Sequence, residues 1–285
     1  YTDWGWKNFQ SWIHAGFDNN LVTPNGKIHR LLTRLSLETL FHPFQPFVIG
    51  QKNLAPRMAA VYKIPLVFYG ENVAEYGNRI EENYLPTMDP GLYTNYDFLK
   101  KNKSLDEYFL AGLPINKILK DYNFQLADFN SYSSPCENEI SNAKVEVHYM
   151  SFYRKWIPQE NYYYAVQKTN FEPNPVRRDG SYGKYSGIDD KMEDLHYYMQ
   201  YIKFGMGRAT WDAAQEIRTN KITREEGVAL VKKYDHEIPK TFFKDILEYL
   251  DISENYFWEI IEKHRNLNIW EKSLNRKWKL KVTIS

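Results

Sequence analysis

Ile64-Pro65-Leu66-Val67-Phe68-Tyr69 is an apolar run with almost no polar group, and Gly70-Glu71-Asn72 ends it abruptly. A run this short and this apolar suits a strand covered on both faces of a parallel sheet. Ligands of open α/β sheets bind just beyond the carboxyl ends of such strands, which makes Gly70, Glu71 and Asn72 candidates for a site. The plain alternative is a turn at Gly70 followed by two solvated side chains.

The rest of the chain sets the frame for that strand. A second alternating stretch, Lys144–Met150, predicts another strand, with His148 on it as a packed residue rather than a ligand. Asp18–Thr23 predicts a short strand closed by Pro24-Asn25-Gly26. Helices are predicted over Asn8–Phe17, Lys27–Leu40 and Gln51–Tyr62, with Pro43 and Pro46 as breakers. This order gives an α/β architecture with parallel crossovers, in which Leu21–Thr23, Ile64–Tyr69 and Val145–Tyr149 are neighbours in one sheet. Residues from about 78 to 142 are less regular and read as an insertion, with a short helix at Ser104–Leu110 and an incidental thiol at Cys136. A further helix opens at Trp156 and runs to about Thr169, with Pro158 in its first turn.

Beyond about residue 172 the pattern changes. Glu172–Ser186 reads as a polar connection, with Arg177–Lys184 as a solvated, flexible linker or, less simply, a phosphate-contacting loop. Helical patterns then fill Asp189–Phe204, Trp211–Arg218, Arg224–Tyr234, Pro239–Leu250 and Ser253–His264. Thr223 and Glu226 have capping-box spacing, which accounts for both without any chemistry. The expected division is therefore an α/β domain over 1–172 and a helical domain over 173–285.

Composition excludes some classes. With 37 basic and 36 acidic residues, net charge is +1, and a general nucleic-acid footprint would need a basic excess. A single cysteine rules out an internal disulfide framework and a multi-cysteine zinc site. No apolar run approaches the roughly 20 residues of a membrane span. The 23 Tyr, 16 Phe and 8 Trp suit core packing, and equally a sugar or a planar base, because a tyrosine offers a flat face and a hydroxyl.

Several blocks, taken together, resemble the N-acetyl sugar amidotransferases of bacterial surface-polysaccharide biosynthesis, members of the PP-loop ATP pyrophosphatase superfamily. They are Leu21–Asn25, Pro43–Phe47, Pro65–Asn72 with Glu75-Tyr76-Gly77, Trp156–Val166, and Gly183–Ser186 with Asp189-Asp190-Lys191. The densest is Lys203-Phe204-Gly205-Met206-Gly207-Arg208-Ala209-Thr210, continuing through Asp212–Ala214, Glu216–Arg218 and Ile222–Gly227. The family's Ser-Gly-Gly-x-Asp-Ser loop and the cysteines ahead of it are absent from these 285 residues. The expectation is a parallel-sheet PP-loop ATPase core, of the adenine nucleotide alpha hydrolase-like kind, that is incomplete at its N-terminus and carries a helical C-terminal region. A backbone N–H loop at a helix start is what cradles phosphate, so this stretch alone is expected not to hydrolyse ATP.

The resemblance implies a reaction. A sugar acetamido group becomes an acetamidino group: ATP adenylates the amide oxygen, pyrophosphate leaves, ammonia attacks the activated carbon, and AMP departs. ATP and Mg²⁺ are the implied cofactors. The substrate is an N-acetylated sugar, free or nucleotide-linked. Ammonia comes from a glutaminase partner resembling the glutaminase and cyclase halves of imidazole glycerol phosphate synthase. The implied location is the cytoplasm, with no membrane insertion and no nucleic acid, and self-association is compatible with it. Gly70, Glu71, Asn72, Gln51 and Lys52 are assigned to the nucleotide, Lys52 being equally a surface lysine. Arg208, Lys203 and Asp212 are assigned to catalysis, with Arg208 on a phosphate or sugar carboxylate because its small neighbours allow close approach. Glu216, Arg218 and Lys184 are assigned to the substrate. Asp212 and Glu216 sit one helical turn apart and suit sugar hydroxyls or ammonia, or else pair with Arg208 or Arg218. Asp189 and Asp190 suit a metal or simply a helix start. Two other readings compete: another PP-loop adenylating enzyme, such as one that modifies tRNA, and a non-catalytic sugar-binding or scaffold protein.

Overall fold

The computed structural model describes residues 1–70, 84–95, 104–275 and 277–285. Glu71, Asn72 and the Glu75-Tyr76-Gly77 stretch lie outside them. The helices are α1 (Asp3–His14), α2 (Gly26–Leu40), α3 (Gln45–Tyr62), α4 (Gly91–Thr94), α5 (Ile115–Tyr122), α6 (Glu137–Ala143) and α7 (Met150–Tyr153). They continue as α8 (Pro158–Lys168), α9 (Glu193–Phe204), α10 (Arg208–Arg218), α11 (Arg224–Tyr234), α12 (Phe243–Leu250) and α13 (Glu254–His264). The strands are β1 (Leu66–Tyr69), β2 (Phe109–Leu110), β3 (Leu113–Pro114), β4 (Glu146–Tyr149), β5 (Trp270–Lys272) and β6 (Trp278–Leu280). The chain forms two compact units: a split one, Tyr1–Leu21 with Ile157–Ser285, and an inserted one, Val22–Trp156. The sequence pattern instead suggested a boundary near residue 172, where helical periodicity takes over.

In the inserted unit β1 and β4 pair in parallel, with Leu66 opposite Glu146 and Tyr69 opposite Tyr149. Val67 and Tyr69 turn toward a core of Ala59, Tyr93, Ile140, Val147 and Tyr149. Leu66 and Phe68, on the other face, are 46% and 45% exposed. The strand is thus covered on one face by the described residues, where its apolar run had suggested both. The expected strand at Asp18–Thr23 does not form. Residues 17–25 have no regular structure; Asn25 spends its side chain capping α2 through the Lys27 N–H, and Leu21 and Val22 are exposed.

The expected helix at Ser104–Leu110 is replaced by a turn and the β2–β3 hairpin. Ala111 and Gly112 form its two-residue loop, both with positive φ (54° and 74°), a backbone that matches strand twist and that glycine adopts freely. A side chain at Gly112 would collide with Thr39 Oγ1, which donates to the Ala111 carbonyl. Beneath this loop a second core gathers Leu32, Leu110, Ile115, Ile118 and Phe129. His148 is packed as expected: Nδ1 lies 2.6 Å from the Tyr153 hydroxyl and Nε2 3.1 Å from Glu146 Oε2, with Phe68 against the ring. Cys136 stands at the start of α6, its N–H bonded to Glu139.

The split unit is mostly helical, around Leu195, Met199, Ile202, Phe257 and Ile261. Helix α11 carries the expected capping box, in which Glu226 N–H donates to Thr223 Oγ1 and Thr223 N–H to Glu226 Oε2. The β5–β6 hairpin closes on Arg265, whose guanidinium is 5.0 Å from the centres of both Trp270 and Trp278.

Arg177–Lys184 is no flexible linker. Arg178, buried, donates to Asp194 from Nε at 2.8 Å and also bonds the carbonyls of Gly187 and Asp190. Arg177 forks onto Glu237 at 2.7 and 2.8 Å and lies over the Tyr234 ring. Asp179 accepts from Lys240 N–H, Thr241 N–H and Thr241 Oγ1. Burial opposes its ionisation, but these donors outweigh burial and hold its carboxyl below the ordinary range. Charged residues that read as solvated in one dimension are here the staples of a loop without secondary structure.

Candidate functional site

Helix α10 begins at Gly207-Arg208, and its start is shaped by a residue the sequence reading missed. Asp235, just after α11, accepts from Gly207 N–H, Thr210 N–H and Thr210 Oγ1 at 2.8, 2.9 and 2.8 Å. A Cβ on Gly207 would stand 2.9 Å from the Asp235 carbonyl oxygen. The small residue beside Arg208 therefore makes room for Asp235, and Ala209 is fully buried, so neither neighbour is held open for a ligand.

With α10 fixed in this way, Arg208 meets the start of α9. Its Nη1 is 3.1 Å from Glu193 Oε1, its Nε 3.0 Å from Asp212 Oδ1, and its guanidinium lies 4.7 Å from the Tyr197 ring centre. The loop stapled by Arg178 completes the cluster. Ser181 Oγ donates to Asp212 Oδ2 at 2.5 Å, and the Tyr182 hydroxyl donates to Glu216 Oε2 at 3.0 Å. Tyr185 stacks on Tyr162 with ring centres 4.5 Å apart and planes 5° from parallel.

Two carboxylates, Glu193 and Asp212, thus pair with one guanidinium, and Glu216 lies one turn beyond Asp212 on the same helix. Burial raises the Glu193 carboxyl to about 7; Arg208 opposes this, and Asp189 adds to it. Burial also raises Glu216, against the Tyr182 hydrogen bond and with the help of Asp212. Tyr182 and Tyr185 are pushed up by burial and then by Glu216 and Asp212. A further anion has little to gain here. The arrangement suits hydroxyls, an N–H group or a cation, with flat aromatic faces beside it.

Glu193 gives a pH test. Its folded value lies above the ordinary 4.5, so folding favours the protonated carboxyl. That contribution is complete below about pH 4.5 and is lost as pH rises through about 7. Relative to Glu193→Gln, the parent protein should lose about 1–3 kcal/mol of stability across that window, read by urea unfolding at a series of pH values.

The structure brings Arg208 and Asp212 together as the ion pair left open for that acid, while Glu216 accepts from the Tyr182 hydroxyl instead. Lys203 is in the last turn of α9, with its ammonium 5.3 Å from the Phe204 ring centre and its carbonyl bonded by Asn266. Arg218 ends α10 and is exposed. Lys184 is exposed and reaches the Pro175 carbonyl at 3.4 Å. In the inserted unit, Gly70 follows β1 with its carbonyl bonded by Ser151 N–H and the Trp156 ring against its Cα. Gln51 and Lys52 lie on α3, where their carbonyls accept from the Tyr69 hydroxyl at 2.9 and 3.3 Å. Gln45, in the matched block Pro43–Phe47, holds the Ala111 N–H. Among the described residues no group of three or more His, Cys, Asp or Glu side chains is placed to hold a metal ion.

The Arg208 cluster, lined by acids and tyrosines, lies in the C-terminal half of the chain. Residues 146–284 match the family model of the LPS biosynthesis protein WbpG-like C-terminal domain. The match runs from β4 nearly to the end of the chain, takes in the whole Arg208 cluster, and supports a place in surface-polysaccharide biosynthesis. No curated protein matches the chain. Among the described residues no helix is long and apolar enough to cross a membrane.

Proposed function

We propose that the protein is an ATP-dependent amidotransferase that converts the acetamido group of a surface-polysaccharide sugar into an acetamidino group. The observation that carries this reading is the match to an LPS biosynthesis domain over the stretch that builds the Arg208 cluster. In this reading Asp212 and Glu216 accept from sugar hydroxyls or the reacting nitrogen. Tyr185 and Tyr162 offer ring faces to the pyranose, and Arg208 holds Glu193 and Asp212 in position. The amide oxygen attacks the α-phosphorus of ATP and pyrophosphate leaves. Ammonia adds to the activated carbon, its excess proton passes to a base, and AMP leaves with the former amide oxygen. Glu193, titrating near neutrality, has the acidity suited to taking that proton.

The full-length protein, given ATP and an N-acetylated nucleotide sugar, should release AMP and amidine when ammonium is present. Glutamine should replace ammonium only after a glutaminase subunit is added. Glutamine-dependent turnover by the purified protein would overturn the partner assignment. Sugar binding without AMP release would favour a scaffold, and AMP release driven by tRNA would favour a tRNA-modifying enzyme.

A further inference from the structure

The inserted unit contains a cleft of about 600 Å³, formed where α3, α6 and the segment 130–135 come together. That is the size of a small-molecule site. Its walls are partly apolar, from Val61, Pro135 and Ala143, and its cations are Arg57, Lys63 and Lys144. Glu139 is the one carboxylate among the lining residues; it accepts from the Cys136 N–H and its charge also acts on Arg57, so the uncompensated cations are the two lysines. The floor is held rigidly: Arg57 donates to the carbonyls of Asn130 and Ser133, and Asn53 donates to that of Tyr132 while accepting from Ser134 Oγ.

The two lysines are disposed alike. Lys63 ends α3 just before β1, and Lys144 ends α6 just before β4. The cleft therefore lies at the amino ends of the parallel strands, whereas Gly70 marks the carboxyl end. Neither ammonium has an ion-pair or hydrogen-bond partner among the described residues. Lysines at helix C-termini complement the negative ends of the two helix dipoles, which accounts for their charge but not for their convergence on one concave surface with Arg57.

We propose that this cleft binds a phosphorylated sugar, with the phosphate between Lys63 and Lys144 in the field of Arg57 and the sugar against the apolar wall. A sugar 1-phosphate and the diphosphate of a nucleotide sugar share this chemistry. The phosphate half of this inference rests on the cleft alone, and the sugar half rests on the amidotransferase reading, so phosphate binding without sugar selectivity would leave the first and remove the second.

Backbone geometry supplies a clean test. Lys63 and Lys144 have φ of 56° and 52°, where glycine is unstrained. Lys63→Gly with Lys144→Gly should therefore leave the thermal midpoint unchanged or higher while removing both ammonium groups. Calorimetric titration at low salt would use N-acetylglucosamine 1-phosphate, UDP-N-acetylglucosamine, N-acetylglucosamine and inorganic phosphate. The expected result is saturable binding of a phosphorylated sugar by the parent and at least tenfold weaker binding by the double variant. The stronger of the two phosphorylated sugars identifies the source. Should the glycine pair fail to fold, Lys63→Gln with Lys144→Gln decides by the same criterion. No saturable binding by the parent, equal affinity in the variants, or equal affinity for unphosphorylated N-acetylglucosamine would overturn the proposal. Binding of inorganic phosphate alone would overturn the sugar part of it.

Discussion

Arg178→Met should destabilise the split unit by about 3–5 kcal/mol and lower its thermal midpoint by roughly 10 °C. Arg178 and Asp194 have side chains 6% and 8% exposed. Removing the guanidinium leaves a buried carboxylate without its partner, and also frees the carbonyls of Gly187 and Asp190. The cost arises from stranding those groups rather than from the worth of the pair, since a buried pair repays little beyond its own desolvation. A double variant, Arg178→Met with Asp194→Leu, should therefore recover much of the loss. If the double variant were as unstable as the single one, the pair would not be the cause. The loop that presents Ser181 and Tyr182 to the candidate site depends on this staple, so the single variant should lose activity at temperatures below its midpoint as well.

Arg208→Met should cost about 2–4 kcal/mol at neutral pH and distinctly less at pH 5. Glu193 and Asp212 would both be left facing other acids, with Glu216 one turn further along α10. Glu193 titrates near 7 even beside Arg208, so at pH 5 it is already largely protonated and little of its ion pair remains to lose. Urea unfolding at both pH values separates the outcomes. A loss below about 1 kcal/mol, or one independent of pH, would remove Arg208 from its role as the counter-charge of the cluster.

Much of this architecture was legible in the sequence because it rests on local pattern. The apolar run Ile64–Tyr69 and the alternation Lys144–Met150 marked two strands that form over Leu66–Tyr69 and Glu146–Tyr149 and pair in parallel. Apolar periodicity marked α9 to α13, and the Thr223–Glu226 spacing marked a cap that the structure contains. What escaped depends on partners far apart in the chain. Arg178 reads as solvated because it stands between Arg177 and Asp179-Gly180 in a polar stretch, and nothing local announces a burial site on α9. Asp235 follows a helix and looks like an ordinary end residue, yet it caps a helix 25 residues upstream. Ser104–Leu110 has helical composition, and the conformation is decided instead by Gly112 and by the packing of Thr39 against the hairpin loop. In the candidate site, the Asp212–Glu216 spacing pointed to a shared face, but Glu193 carried no comparable signal, because its meeting with Arg208 depends on how α9 and α10 pack.

The most direct measurement of the proposed reaction follows one oxygen atom. The full-length protein is given ATP, ammonium and a nucleotide sugar whose acetamido carbonyl carries oxygen-18. If the amide oxygen is adenylated before ammonia attacks, the label must leave the sugar and appear in the phosphate of AMP, in step with amidine formation. Unlabelled AMP, label retained in the sugar, or label released to water or to inorganic phosphate would contradict the mechanism and with it the assignment of this protein as a sugar amidotransferase.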